Sequence, residues 1–87
     1  MPEIARFFGI LITMYADDHN PPHFHARYND FKVLINILTG NIMEGEIPGK
    51  QLRLIQAWVE IHRGELLVNW EESKKDNPQF KKIEPLK

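Results

Sequence analysis

The hydrophobic pattern of the chain changes period halfway along. Between Arg6 and Glu46 apolar residues alternate with polar ones or form short apolar runs, whereas from Leu52 to Trp70 they recur at every third or fourth position. The first pattern belongs to strands and the second to one face of a helix. Ile10 to Tyr15 is apolar and includes Ile, Thr and Tyr, so it predicts a buried strand. Arg6-Phe7-Phe8 either extends that strand or forms a short one before Gly9. His23 to Tyr28 predicts the next strand and Asn29-Asp30 a two-residue turn. Phe31 to Leu38 follows, with Phe31, Val33, Ile35 and Ile37 on one face; Thr39-Gly40 then turns into a short last strand, Asn41 to Glu46. Tight turns between successive strands imply an antiparallel meander.

Pro48-Gly49 separates the two halves, and Pro48 suits the first position of a helix, where its missing N–H costs nothing. Leu52, Ile55, Val59, His62, Leu66 and Trp70 then form one stripe, which Leu54, Trp58 and Ile61 widen. Gly64 interrupts it at a cost of about 1 kcal/mol against alanine. The expectation is one helix bent near Gly64, or two helices at about 49–62 and 64–75. A sheet with one apolar face and a helix with one apolar stripe can cover each other. The expected fold class is therefore α+β: a small antiparallel β-meander of four to five strands packed against one kinked or two C-terminal α-helices. The parts form a single domain over 1–87, with the sheet at about 4–46, the helical part at about 49–75 and an extended tail at 77–87.

Composition narrows the class. With 87 residues there is room for one domain, and a core of this size stabilises weakly, so a homodimer or a partner chain is compatible with it. The absence of cysteine removes disulfides and thiolate metal sites. No secretory leader or membrane-length apolar run is visible, which sets the expectation of a cytoplasmic protein without membrane association. The net charge of −1 makes no global case for nucleic acid. Positive charge is concentrated late, at Lys74, Lys75, Lys81, Lys82 and Lys87, which reads first as a solvated tail and second as an electrostatic foot for RNA or an acidic partner.

The chemistry collects in Asp17-Asp18-His19-Asn20-Pro21-Pro22-His23-Phe24-His25, which holds three of the four histidines. Strand alternation puts His23, His25 and Arg27 on one face and Phe24, Ala26 and Tyr28 on the other, so the histidine face is expected to open to water or ligand. The prolines stiffen the approach to it. Three readings compete. Two histidines at i and i+2 with Asp17 or Asp18 could ligate a divalent metal, the ligand set then being His23, His25 and Asp18. Without metal, His23 and His25 could exchange protons with a ribose hydroxyl while Arg27 steadies phosphate charge. A purely structural role for the histidines, bonded to turn backbone, is the third. His62 lies on the apolar stripe and reads as a core residue, and Arg6 and Arg63 read as surface ion-pair partners. Gly40, Gly45 and Gly49 form no phosphate-binding motif, so no organic cofactor is expected.

These residues resemble a known family. Arg6-Phe7-Phe8-Gly9-Ile10, Met14-Tyr15 and the nine-residue histidine loop, followed by Leu52-Arg53-Leu54, Trp58, His62-Arg63, Glu65-Leu66-Leu67, Asn69-Trp70 and Ile83-Glu84-Pro85-Leu86, are similar to small bacterial proteins once filed as a domain of unknown function and grouped with the DhiT-type toxins of type II toxin–antitoxin systems. Gly64 departs from that family, which carries a charged or helix-favouring residue there. The resemblance implies a bacterial toxin-like component with a small antitoxin-like partner encoded nearby. If the protein is catalytic, RNA cleavage is the expected chemistry: His23 and His25 exchange protons, Arg27 stabilises phosphate, and Asp17 or Asp18, with His19 beside them, orients a histidine. The alternatives are a non-catalytic protein- or DNA-binding module of the same operon and a metal-dependent hydrolase.

Overall fold

A computed structural model describes residues 3–16 and 18–87. Five strands, β1 (Glu3–Phe7), β2 (Ile10–Thr13), β3 (His23–Tyr28), β4 (Phe31–Asn36) and β5 (Ile42–Gly45), precede one helix, α1 (Gly49–Glu72). The strands form one antiparallel sheet in sequence order, β1-β2-β3-β4-β5. This is the α+β meander with a C-terminal helix that the two periodicities predict.

The turns explain where the strands stop. Phe8 and Gly9 both take positive φ, at 48° and 79°, and close the β1–β2 hairpin in two residues. Asn29, with φ 52°, does the same work between β3 and β4. β4 ends at Asn36, two residues earlier than expected, because the Asn36 side chain diverts the backbone: its Oδ1 accepts the Leu38 N–H at 2.8 Å and the Thr39 N–H at 3.2 Å. At the end of β5, Gly45 lies so close to β4 that a Cβ there would meet the Lys32 carbonyl oxygen at 2.2 Å.

One face of the sheet, with Ile10, Ile12, Phe24, Ala26, Val33 and Ile35, packs with Ile55, Trp58, Val59 and Leu66 of α1 in a single core. Trp58 is its hub, fully buried, with its ring 5.2 Å from Phe7 and 5.8 Å from Phe24. Two stripe positions fall outside it. Ile61 is 65% exposed because it lies round the helix from the Trp58–Val59 centre, and Phe31 is exposed at the β4 end of the hairpin. Two helical stretches join across a kink in α1, and the break in geometry is at His62 (φ −115°, ψ 18°), two residues before Gly64. There Arg63 turns inward and its Nε donates to the Ile37 carbonyl at 2.9 Å, tying the helix to the end of β4.

The C-terminal segment is docked rather than loose. The Ile83 N–H donates to the Ile4 carbonyl at 2.8 Å, the Trp58 Nε1 donates to the Glu84 carbonyl at 2.8 Å, and Ile83 is buried. Among the described residues no helix is long and apolar enough to cross a membrane.

Candidate functional site

β3 begins at His23, immediately after the proline pair, so the loop hands its last residues to a strand of fixed direction. His23 and His25 then project from the same side of β3, their ring centroids 5.6 Å apart. The loop folds back so that one carboxylate oxygen serves both rings. Asp18 Oδ2 stands 3.1 Å from His23 Nε2 and 3.2 Å from His25 Nε2. The other oxygen, Oδ1, accepts the His19 N–H at 2.9 Å, which fixes the carboxylate's rotation.

The second nitrogen of His23 decides what the cluster can do. Nδ1 lies 2.8 Å from the Pro21 carbonyl oxygen. A carbonyl only accepts, so Nδ1 must carry the hydrogen. In a neutral ring Nε2 then presents a lone pair to Asp18 Oδ2, and two acceptors face each other at 3.1 Å. That contact is favourable only when His23 is an imidazolium or when a cation lies between the two atoms. Burial, the largest single influence on Asp18, raises its pKa. The hydrogen bond from His25, the His19 N–H and the charges of His23 and His25 together outweigh it and hold the carboxyl below its ordinary 3.8. Asp18 is therefore an anion at neutral pH.

The candidate ligand atoms of Asp18, His23 and His25 all lie within 4.8 Å of one another. A tetrahedral ion with bonds of about 2.0–2.1 Å separates its ligands by roughly 3.3 Å, close to the observed carboxylate–imidazole spacings. The cluster is graded in depth: the His23 side chain is 5% exposed, Asp18 23% and His25 33%.

Two elements far away in sequence close over this centre. Trp70, near the end of α1, lies with its ring 5.3 Å from that of His23. Lys74, just beyond the helix, sits 4.3 Å from the Trp70 ring centroid and donates to the Asp18 backbone carbonyl. Neither is legible as a site residue in the sequence, where Trp70 reads as core and Lys74 as part of a solvated tail. Tyr15 packs edge-on against His25 at 4.3 Å.

The predicted site residues thus separate. Asp18, His23 and His25 come together. His23 is buried, contrary to the expectation of an open face, because Trp70 and the Pro21 backbone cover it. His19 is exposed and contributes its backbone N–H. Arg27 is exposed one step farther along β3, and Asp17 lies outside the described residues. His62 belongs elsewhere: its Nδ1 pairs with Glu65 at 2.7 Å and its ring packs on Trp58.

His25 also opens onto the face of the sheet away from the helix. A groove of about 430 Å³ lies there, floored by Leu11, Thr13 and Leu34, with His25 and Tyr15 at one end and Arg27, Lys32 and Glu44 along the rim.

Comparison with known proteins places residues 9–71 in a match to a family described as a domain of unknown function, DUF4160, a span that runs from the first hairpin turn through most of α1. Neither the curated proteins nor the solved structures contain a match to the chain.

Proposed function

We infer that this chain, which belongs to the DUF4160 family, is a metal-dependent hydrolase whose ion is held by Asp18, His23 and His25. The observation that carries this reading is the orientation of His23. Its Nδ1 is committed to the Pro21 carbonyl, which leaves the Nε2 lone pair aimed at a carboxylate oxygen that is itself an acceptor. Metal-ligating histidines are held in this way, one ring nitrogen donating to a backbone carbonyl while the other binds.

The set of two imidazoles and one carboxylate suits zinc, iron(II) or manganese, and it leaves coordination positions for water and substrate. Such an ion supplies Lewis acidity and water activation. The chain's own groups do the rest. Pro21 fixes the His23 tautomer, the His19 N–H fixes the Asp18 carboxylate, and Trp70 keeps solvent from the inner side. His25, the most exposed of the three, faces the groove from which a substrate would approach.

Proton exchange between His23 and His25 is less well supported. Both Nε2 atoms address the same carboxylate oxygen, and His23 is too buried to reach a ribose hydroxyl. The biological setting we attach to the hydrolase is the one its resemblance implies, a growth-arresting component paired with a small antitoxin-like protein.

The test is metal titration of tag-free protein stripped with chelator. About one equivalent of zinc should bind, and His23→Ala with His25→Ala should abolish binding while circular dichroism stays native. Uptake below about a tenth of an equivalent by folded wild-type protein, across zinc, manganese and iron(II), overturns the metal reading. Induced expression should arrest growth, and the double variant should relieve it. A folded double variant that still arrests growth disconnects the centre from the toxicity.

A further inference from the structure

We propose that the groove on the open face of the sheet binds one nucleotide unit of a phosphodiester substrate, with its phosphate on Arg27 and Lys32 and its nucleoside on the floor of Leu11 and Leu34. This rests on the hydrolase reading and names its substrate class. Arg27 and Lys32 are directly opposed across β3 and β4. Like charges in that position repel and weaken the sheet. Among the described residues neither makes an ion pair or hydrogen bond that would relieve the repulsion. Of the other exposed cations, Arg6, Lys75 and Lys87 each have a carboxylate partner, and the exposed Lys50, Arg53, Lys81 and Lys82, which lie outside the sheet, are not set opposite another cation across a strand pair. A cation pair left uncompensated beside a concave surface matches a dianionic or diester phosphate, which accepts from the Arg27 fork and the Lys32 ammonium together.

Register fixes where that phosphate lies relative to the chemistry. Arg27 and His25 are two residues apart on the same side of β3, and their β2 partners on that side are Leu11 and Thr13. Their Cα atoms are separated by roughly 6.5–7 Å, about the spacing of successive phosphates along an extended nucleic-acid strand. A phosphate on Arg27 therefore sets the neighbouring phosphodiester over His25 and the metal ligands. The half-buried Leu11 and Leu34 lie opposite Arg27 and His25 in the register and offer an apolar floor to a base without selecting among bases. The groove volume of about 430 Å³ accommodates one nucleotide. Glu44, opposite Leu34 on β5, places negative charge on the far rim and turns the phosphate towards Arg27.

The experiment titrates the chelator-treated protein with a dinucleoside monophosphate, and separately with inorganic phosphate, following amide shifts by NMR. Zinc binding is measured on the same samples. The expected result is dinucleotide-induced shifts confined to Leu11, Arg27, Lys32 and Leu34. Arg27→Gln with Lys32→Gln should weaken binding at least tenfold while zinc still binds at one equivalent; both side chains are exposed, so the fold should tolerate the change. Dinucleotide binding that the double variant leaves unchanged overturns the proposal, as does inorganic phosphate binding as tightly as the dinucleotide. Zinc uptake without dinucleotide binding overturns the groove assignment alone. Dinucleotide binding that depends on Arg27 and Lys32, without zinc uptake, upholds the groove and overturns the metal centre.

Discussion

Lys74 donates from its ammonium to the backbone carbonyl of Asp18, fifty-six positions earlier in the chain. Because the same ammonium lies over the Trp70 ring, the end of the helix and the histidine loop are clasped by one side chain. The loop that supplies the carboxylate is therefore positioned from outside itself. Replacing Lys74 by Gln should weaken zinc binding about tenfold, as removal of groups supporting metal ligands does. The melting temperature should move little, since the side chain is exposed. Titration of the variant gives the answer, and an unchanged affinity would mean that the loop holds its own geometry.

The tail is held by a side chain imitating backbone. The buried Asn69 amide donates from Nδ2 to the Lys81 carbonyl at 2.8 Å, and its Oδ1 accepts the Lys81 N–H at 2.9 Å. Asn69→Leu removes both bonds and leaves two backbone groups unpaired. Destabilisation of about 2–3 kcal/mol is expected in urea unfolding. Asn69→Asp keeps the acceptor for the Lys81 N–H but sets a carboxylate oxygen against the Lys81 carbonyl in a buried site, so near neutral pH it should destabilise at least as much as Asn69→Leu.

The same substitution should have opposite signs at two glycines. Gly45→Ala places a methyl 2.2 Å from the Lys32 carbonyl at a φ of +86°, and should destabilise by about 2 kcal/mol or more. Gly64→Ala meets nothing within 4 Å in a helical segment, and should stabilise by about 0.5–1 kcal/mol. Thermal melts of the two variants check both.

Glu72 gives a pH dependence of definite sign. Its side-chain bond with Lys75 is the largest influence and, with the Gln79 N–H and the charges of Lys75 and Lys81, outweighs burial; the carboxyl is held below its ordinary 4.5. A carboxyl depressed on folding contributes stability above its unfolded pKa and loses it as pH falls through the folded value. Wild type should therefore exceed Glu72→Gln in stability near neutrality. The gap should close on acidification below about pH 4.5. A gap that stays constant across that range would remove Glu72's charge from the account.

Much of this protein is legible in one dimension. Alternation from Ile10 to Glu46 and the three-or-four spacing from Leu52 to Trp70 determined the meander, the helix and the face that each buries, because these depend on side-chain direction along a local backbone. The crowding of His23, His25 and Asp18 in sequence likewise located the candidate centre, since two of the three residues share one strand face. Tertiary structure alone decided the rest. That His23 would be sealed by Trp70, that Lys74 would clasp Asp18, and that Asn69 and Trp58 would dock the tail all depend on where the helix ends relative to the sheet. Periodicity carries no information about that distance. The cation pair of Arg27 and Lys32 lies between these cases: the two-residue turn at Asn29-Asp30 sets their register in sequence, and only the open face beneath them gives the pair a ligand to meet.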